Sequence, residues 1–464
     1  MKSIEDLFYP VLKVYNGLPL PVRNFVGSVY RKIPKKYKYG SFFYEYNQRI
    51  NNFENVDYNL QVLKSEKLLI KQVNRSIKSI HFYSNYTTIK TVSELRNLPI
   101  IQKGDILENI SNFLNEKKKE KFLKSNTGGS SGTPFSFYIE KGITRPKEAA
   151  HFEWYWGKYS FNEGDRVLMI RGKALRNNAK YEFQAIHNKL VISCYNVGQD
   201  DMAEIYNQIL KFKPSFIHAY PSALLTFTKE LEIYLKDTSF DLNIETIFLG
   251  SEKVYKRDEE FLEKFYNSKV INWYGHSECL IHGGRCEVSG DYHFFPFYGF
   301  LELIDEDDKQ INDPGIEGRI VATGFDNAVM PLIRYDTGDL GVYSANHVCK
   351  CGFKGKSLSS ISGRSKDYIY LEDTTKVSLT AFIFGQHHKE FQKVKELQIT
   401  QRIQGEILLK ILPLNGFTEK EQSMFKQRLI QSVDHKLSVE IEIVNEIEKT
   451  HRGKHTLLKQ YIKE

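Results

Sequence analysis

Between residues 166 and 275 the chain alternates short apolar runs with amphipathic stretches, and this alternation limits the fold more than any other feature. "RVLMIRG" (166–172) reads as a buried strand, and "DMAEIYNQILKF" places Met202, Ile205, Tyr206, Ile209 and Leu210 on one helical face. "SFIHAY" is a strand, and Ser222, after Pro221, is read as the cap of the helix "SALLTFTKELEIYLK". "TIFLGSE", "RDEEFLEKFYN" and "VINWYG" continue as strand, helix and strand. Strands joined through helices return in the same direction, so the expected fold is α/β with a mostly parallel sheet under helices.

After residue 290 the texture becomes strand-rich: "YHFFPFYGFLELID", "GRIVATGF" and "PLIRYDTGDLGVY". A small α+β unit follows "SGRSKDYIY", with "KELQITQRI", "GEILLKILPL" and "EIEIVNEI" as strands and "EKEQSMFKQRLIQSV" as a helix. The boundary falls near Gly363–Asp367, which divides the chain into residues 1–363 and 364–464. A length of 464 residues accommodates that division.

Composition excludes several classes. The 41% hydrophobic and 26% charged residues are those of a soluble globular protein, and no apolar run reaches the 18 or so residues of a membrane span. The net charge of +8 is dispersed, with short clusters at Lys35-Lys36-Tyr37-Lys38 and Lys117-Lys118-Lys119. Such clusters read as solvated faces, which leaves peripheral membrane contact as the minor reading and gives no nucleic-acid site. "FYPVLKVYNGLPLPVRNFVGSVY" is apolar enough to lie on a membrane, but packing on the body is the favoured expectation. Charged residues interrupt the N-terminus too early for a signal peptide, and five cysteines in a chain this long point to a reducing cytoplasm.

One loop stands apart. "KSNTGGSSGTPFSFY" (124–138) follows the lysine-rich helical run "NEKKKEKF" and precedes residues bulky enough for a core. Gly128, Gly129 and Gly132 tolerate positive φ and carry no Cβ, so successive N–H groups can turn onto one anion. Thr127, Ser130, Ser131 and Thr133 add hydroxyl donors suited to phosphate oxygens. There is no Gly-Lys-Ser/Thr ending, so a P-loop kinase or GTPase is disfavoured.

Three stretches share that chemistry. "NWYGHSE" (272–278) ends a strand, where open parallel sheets bind ligands; its aromatic-glycine pair, Tyr274-Gly275, can lie flat on a purine and Glu278 can hold a divalent cation. "RYDTGDLG" (334–341) offers Asp339 on a tight turn, able to accept from a ribose diol. "SGRSKDYI" (362–369) offers Arg364 and a flexible junction.

With these stretches in this order, the sequence resembles the adenylate-forming superfamily of acyl-CoA synthetases and peptide-synthetase adenylation domains. Within it the chain is similar to the phenylacetate–CoA ligase branch and to CapK-type proteins encoded with capsular polysaccharide genes. The likeness spans nearly the whole chain, through "LPLPVRNF", "TGGSSGTPFSFY", "AYPSALL", "FLGSE", "NWYGHSE", "CEVSGDYHFFPFYGFLELID", "MPLIRYDTGDLG", "ISGRSKDYI" and "HRGKHTLLKQ".

The resemblance implies an AMP-forming carboxylate ligase in which Thr127 through Thr133 hold the β,γ-phosphates of ATP and Tyr274 stacks on adenine. Glu278 would bind Mg²⁺, and Asp339 and Arg364 would grip the ribose hydroxyls. Lys366 would be the hinge of a small, mobile C-terminal lid, and Lys454 would bridge the substrate carboxylate and the α-phosphate. Phe135 follows Pro134 where many family members carry a lysine, so no loop lysine is assigned; His276 is assigned no chemistry.

The implied chemistry suits these residues. A carboxylate is a poor electrophile until attack on the α-phosphorus of ATP turns it into an acyl-adenylate with AMP as leaving group. That step brings anions together, so it is governed by positioning and charge neutralisation. The acyl group would then pass to CoA, or to an amine or hydroxyl in glycan assembly. A non-catalytic nucleotide-binding scaffold is a further alternative. The acid pocket is expected around "HFEWYW", "HAYPSA" and "FLGSE", whose aromatic content leaves room for an apolar or aromatic group.

Cys349 and Cys351, in "HVCKCGF", are too close in sequence for an unstrained disulfide. With Cys286 and His293 from "CEVSGDYH" they make a Cys₃His set suited to structural zinc. Buried free cysteines, or Cys279 or His282 replacing one ligand, are the open alternatives.

Overall fold

The apolar runs of the middle of the chain become strands of one thirteen-stranded sheet in a computed structural model. The structure describes residues 14–15, 17–126, 136–170, 175, 179–192, 199–236, 239–251, 254–345, 348–362, 368–374, 376–378, 393–413, 416–431, 433, 435–448 and 457–462. A separate hairpin, β1 (Phe122–Asn126) and β2 (Ser136–Glu140), precedes that sheet.

The parallel half is built from β3 (Val167–Ile170), β5 (Lys189–Ile192), β6 (Phe216–Ala219), β7 (Thr246–Gly250) and β8 (Lys269–Gly275) in the order β5-β3-β6-β7-β8, with β4 (Tyr181–Gln184) antiparallel at the edge. Every residue of β6 and β7 is buried, as a strand covered on both faces must be. Helices α5 (Gln199–Phe212), α6 (Pro221–Leu235) and α7 (Lys256–Tyr266) pack on the face carrying Leu168, Ile217, Ile247 and Leu249. On the opposite face α4 (Thr144–Gly157) sets Tyr155 and Trp156 against Val167, Phe216, Phe248 and Ile271.

Two local expectations need correction. Helix α6 starts at Pro221 with Tyr220 as its cap, so Ser222 lies inside the first turn. Proline favours this first position because the N–H it lacks would have had no helical partner. The run "NEKKKEKF" is a short 3₁₀ segment broken at Lys118, not an α-helix. Lys118 and Lys121 reach the buried Glu140 carboxylate of β2 at 3.1 and 3.5 Å, and this tertiary pairing outweighs helix propensity.

The antiparallel half runs through β9 (His282–Arg285), β10 (Tyr292–Phe294), β15 (Ser357–Ser362), β14 (Tyr335–Tyr343), β13 (Glu317–Gly324), β11 (Gly299–Ile304) and β12 (Gln310–Ile311), in that spatial order from β8. It buries one face against α3 (Tyr58–Ser79) through Leu69, Val73 and Ile77. Asp57 caps α3 by accepting from the Leu60 N–H at 3.1 Å. Helix α2 (Ser41–Glu54) packs Tyr46 and Phe53 on Phe297. Helix α1 (Leu20–Arg31) lies on the body as expected: a Cβ at Gly27 would come within 2.6 Å of Ala185, a contact only glycine permits. No helix among the described residues is long and apolar enough to cross a membrane.

Beyond residue 367, β16 (Tyr368–Tyr370) pairs with β17 (Lys376–Ser378). A second sheet orders β20 (Ser438–Ile443), β19 (Glu406–Pro413), β18 (Val394–Gln401) and β21 (Leu458–Gln460), covered by α8 (Glu419–Gln431). Its core, from Ile369 to Leu458, is made of its own residues. It touches α6 where Thr226 Oγ1 donates to Glu396 Oε1 at 3.2 Å and Lys229 Nζ to the Val394 carbonyl at 3.3 Å.

Candidate active site

Strands β8 and β14 stand four steps apart in the order β8-β9-β10-β15-β14, which across a flat sheet would be about 19 Å at ~4.8 Å per step. The Tyr274 hydroxyl nevertheless donates to Asp339 Oδ2 at 2.7 Å. The sheet therefore curls until the end of β8 meets β14. Strand β10 is three residues long and pairs with β15 at Tyr292↔Leu358 and His293↔Ser357, a narrow junction at which the curl can occur.

Asp339 lies on a bulge inside β14, not on a turn between strands. Between Arg319/Leu340 and Val321/Asp336 the ladder slips, so Thr337, Gly338 and Asp339 oppose the single residue Ile320. Gly338 supplies the left-handed φ of +75° that the bulge needs. Its N–H donates to Asp336 Oδ1 at 2.8 Å, and the Asp339 N–H donates to Thr337 Oγ1 at 3.2 Å. Asp336 is itself held by Arg319 at 2.9 Å.

Glu278 follows β8 and accepts from the Tyr335 hydroxyl at 3.3 Å, so β14 contacts both members of the "NWYGHSE" stretch. Burial, reinforced by the Asp339 charge, pushes the Tyr274 phenol well above its ordinary pKa and keeps it a hydrogen-bond donor. Gly275 pairs with His282 across β8 and β9, and a Cβ there would sit 3.5 Å from the His282 ring. Tyr274, Gly275, Glu278 and Asp339 thus come together. The stretch Thr127–Thr133 and residues Arg364, Lys366 and Lys454 lie outside the described residues.

Beside these residues is an ionic network that the sequence reading missed. Lys147 of α4, 2% exposed, lies 3.3 Å from Asp326 and donates to the Tyr298 carbonyl at 2.9 Å; Arg49 grips the two Asp326 oxygens at 2.8 and 3.0 Å. Burial alone would raise the Asp326 carboxyl, but the Lys147 and Arg49 charges outweigh it and hold its pKa below the ordinary value. Glu148 accepts from the Tyr298 hydroxyl, and burial pushes its pKa up. A signal was available: Lys147, Ala150, His151 and Tyr155 share the helical spacing of a buried face, so Lys147 had to be a buried cation.

The C-terminal domain of CapK matches residues 370–461. Protein CapK of Staphylococcus aureus is 24% identical over 387 residues, covering 80% of this chain and 82% of that protein. The phenylacetate-coenzyme A ligase of Aromatoleum evansii is 28% identical over 298 residues, 61% of this chain and 64% of that enzyme. The solved structure of 2-hydroxyisobutyryl-CoA ligase with 2-HIB-AMP superposes with a TM-score of 0.65 at 16% identity, over 85% of this chain and 88% of that one. The chain is thus similar to CapK over most of its length and to a phenylacetate-coenzyme A ligase over part of it, and it shares the fold of 2-hydroxyisobutyryl-CoA ligase. The GH3.15 acyl acid amido synthetase shares the fold at a TM-score of 0.54 and 12% identity, over 82% of this chain and 85% of that one.

The cysteine expectation is met by geometry of a definite kind. One ligand atom each from Cys286, His293, Cys349 and Cys351 falls within 4.8 Å of the others. The Cys286 and Cys349 sulfurs are 3.7 Å apart, and Cys351 Sγ is 3.9 Å from His293 Nδ1. The Val288 N–H points at Cys286 Sγ at 3.4 Å and the Cys351 N–H at Cys349 Sγ at 3.5 Å, donors that favour thiolates. Cys279 and His282 stand apart from this group. Cys279 lies by Glu148, with burial pushing its pKa well up, and His282 packs on His151.

Proposed function

We propose that this protein activates a carboxylic acid with ATP, forming acyl-AMP and pyrophosphate, and then transfers the acyl group to CoA. The observation that carries the reading is the approach of Tyr274 and Glu278 to β14, 65 residues from Tyr274 to Asp339, through a curled sheet. The 2-hydroxyisobutyryl-CoA ligase with its bound acyl-adenylate and the phenylacetate-coenzyme A ligases support the reaction class. In this reading Tyr274 stacks on adenine at Gly275, while Asp339, braced on its bulge, accepts from the ribose with Arg364. Thr127 through Thr133, which follow β1 in the sequence, cradle the β,γ-phosphates. Lys454 neutralises charge between carboxylate and α-phosphate, and Glu278 holds a Mg²⁺ ion that offsets phosphate charge. Residues 364–464 form a lid that turns about Lys366.

Cys286, His293, Cys349 and Cys351 hold a structural zinc ion in this reading, tying the β9–β10 turn to the segment before β15. One donor atom from each lies within 4.8 Å of the others, and the thiol-directed N–H groups suit anionic ligands. Metal analysis on the purified protein is expected to give one zinc per chain, lost with a fall in Tm on chelation. A metal-free sample with an unchanged Tm overturns it.

The decisive experiment is ATP–pyrophosphate exchange over a panel of carboxylic acids, followed by thiol consumption with CoA. Exchange with at least one acid, and loss of CoA thiol with that acid, are expected. Nucleotide binding with no exchange for any acid would instead favour a scaffold; exchange without thiol loss would remove CoA as acceptor.

A further inference from the structure

On the α4 side of β8 and β9, the histidines have not been satisfied by the protein. His151 and His282 are 0% and 2% exposed, with ring centroids 4.4 Å apart. His151 Nε2 and both ring nitrogens of His282 are buried without a hydrogen-bond partner. Both nitrogens of His276 are also unmet, but its ring lies 6.2 Å from that of Tyr274, so it belongs to the other side. His151 has one weak contact, to the Tyr46 hydroxyl at 3.4 Å. An unpaired buried polar atom is costly, and several together consume a sizeable part of a domain's net stability. Buried polar groups are as a rule paired, so a polar occupant suits this cluster.

The surroundings narrow the occupant. Burial pushes His151 well below its ordinary value and His282 down to about 3, so both rings are neutral, each offering one donor and one acceptor. Neutral rings match an uncharged hydroxyl or carbonyl better than a second carboxylate. Among the described residues, the atoms close enough to share one metal ion are those of Cys286, His293, Cys349 and Cys351, a set that excludes these histidines. Aromatic walls enclose the cluster: Phe295 stacks on His282, Tyr155 lies 5.2 Å from it, and Phe152 bridges it to Trp273. His282 also faces Gly275, the residue beside Tyr274 in the proposed nucleotide site.

We propose that His151 and His282 form the specificity-determining part of the acid site and take a hydroxyl or carbonyl group on the acyl chain. This rests on the ligase reading and deepens it: the substrate is an oxygenated acid, not a plain hydrocarbon or aryl acid.

The test uses acid pairs of one skeleton, 4-hydroxyphenylacetate against phenylacetate and 3-hydroxybutyrate against butyrate. Two readouts are taken, exchange kcat/KM and quenching of tryptophan fluorescence, since Trp154, Trp156 and Trp273 all lie in this aromatic region. In at least one pair the oxygenated acid is expected to be favoured tenfold or more, because unmet buried groups reject the analogue that lacks their partner. His282→Leu and His151→Leu are each expected to lower kcat/KM for the oxygenated acid at least tenfold more than for its partner. They should also raise Tm, because an apolar side chain relieves the unmet nitrogens. Equal use of both members of every pair, or variants that affect both alike, overturns the proposal. If no acid supports exchange, the ligase reading fails separately. Fluorescence titration then still decides: selective quenching by an oxygenated acid, lost in the variants, upholds the histidine site, and no selective quenching ends it.

Discussion

The two sides of the β8 end handle buried polarity in opposite ways. On one side Tyr274 and Asp339 satisfy each other, Asp339 is braced by Thr337, and Asp336 by Arg319. On the other, His282 and His151 have unmet nitrogens next to a fully paired Lys147–Asp326–Arg49 network. Alternation along a strand separates them: Tyr274 points one way, Trp273 and Gly275 the other. A side whose groups are already paired can position a ligand with little rearrangement. A side with unmet groups gains stability only when something arrives, so the two sides should respond differently to mutation and acid.

The largest response should come from the paired network. Lys147→Met leaves Asp326 buried with one partner fewer, and about 3–5 kcal/mol of stability should be lost. Urea unfolding checks this, and Lys147→Met with Asp326→Leu in the same chain should recover much of the loss. Full stability in the single variant would show that the network is solvated.

Acid should act on the histidine side first. His282 has a folded pKa of about 3, below its unfolded value near 6.5. Its neutral form is therefore the folded form, and this contribution is complete above pH 6.5. As pH falls from 6.5 towards 3 the unfolded chain takes up the proton and stability drops by about 1.4 kcal/mol per unit for this residue. His282→Leu should remove that slope from the pH dependence of urea unfolding; an unchanged slope would place its titration elsewhere.

Smaller effects belong to the side of Tyr274. Asp339→Asn removes a charged acceptor and should lower exchange kcat/KM by roughly 10- to 100-fold, equivalent to about 1.5–3 kcal/mol, with little change in Tm. Tyr274→Phe loses one hydrogen bond and should cost about 0.5–1.5 kcal/mol in stability. If Tyr274→Phe proves more damaging to exchange than Asp339→Asn, the hydroxyl rather than the carboxylate faces the ligand.

Much of the parallel half was legible because strand and helix periods are local. Met202, Ile205, Tyr206 and Ile209 lie on the buried face of α5 as their spacing required. Less was legible where tertiary pairing overrides local preference. Lys118 and Lys121 answer Glu140 instead of forming an α-helix, and Pro221 displaces Ser222 from the cap. The aromatic segment "HFEWYW", with "HAYPSA" and "FLGSE", was read as room for an apolar or aromatic group. The contact of His151 in that segment with His282 was not legible, because it joins residues more than a hundred positions apart.

What the sequence determined by itself was the inventory: periodic elements, a glycine-rich stretch, an aromatic-glycine-acid motif and cysteines in usable spacing. These are written in near-neighbour order, and short-range sterics and apolar burial read them directly. The tertiary structure alone decided that Asp339 rides a bulge, that β8 meets β14 across a curl, and that His151 meets His282 under α4. Those outcomes depend on sheet curvature and long-range packing, which are set by the whole chain at once.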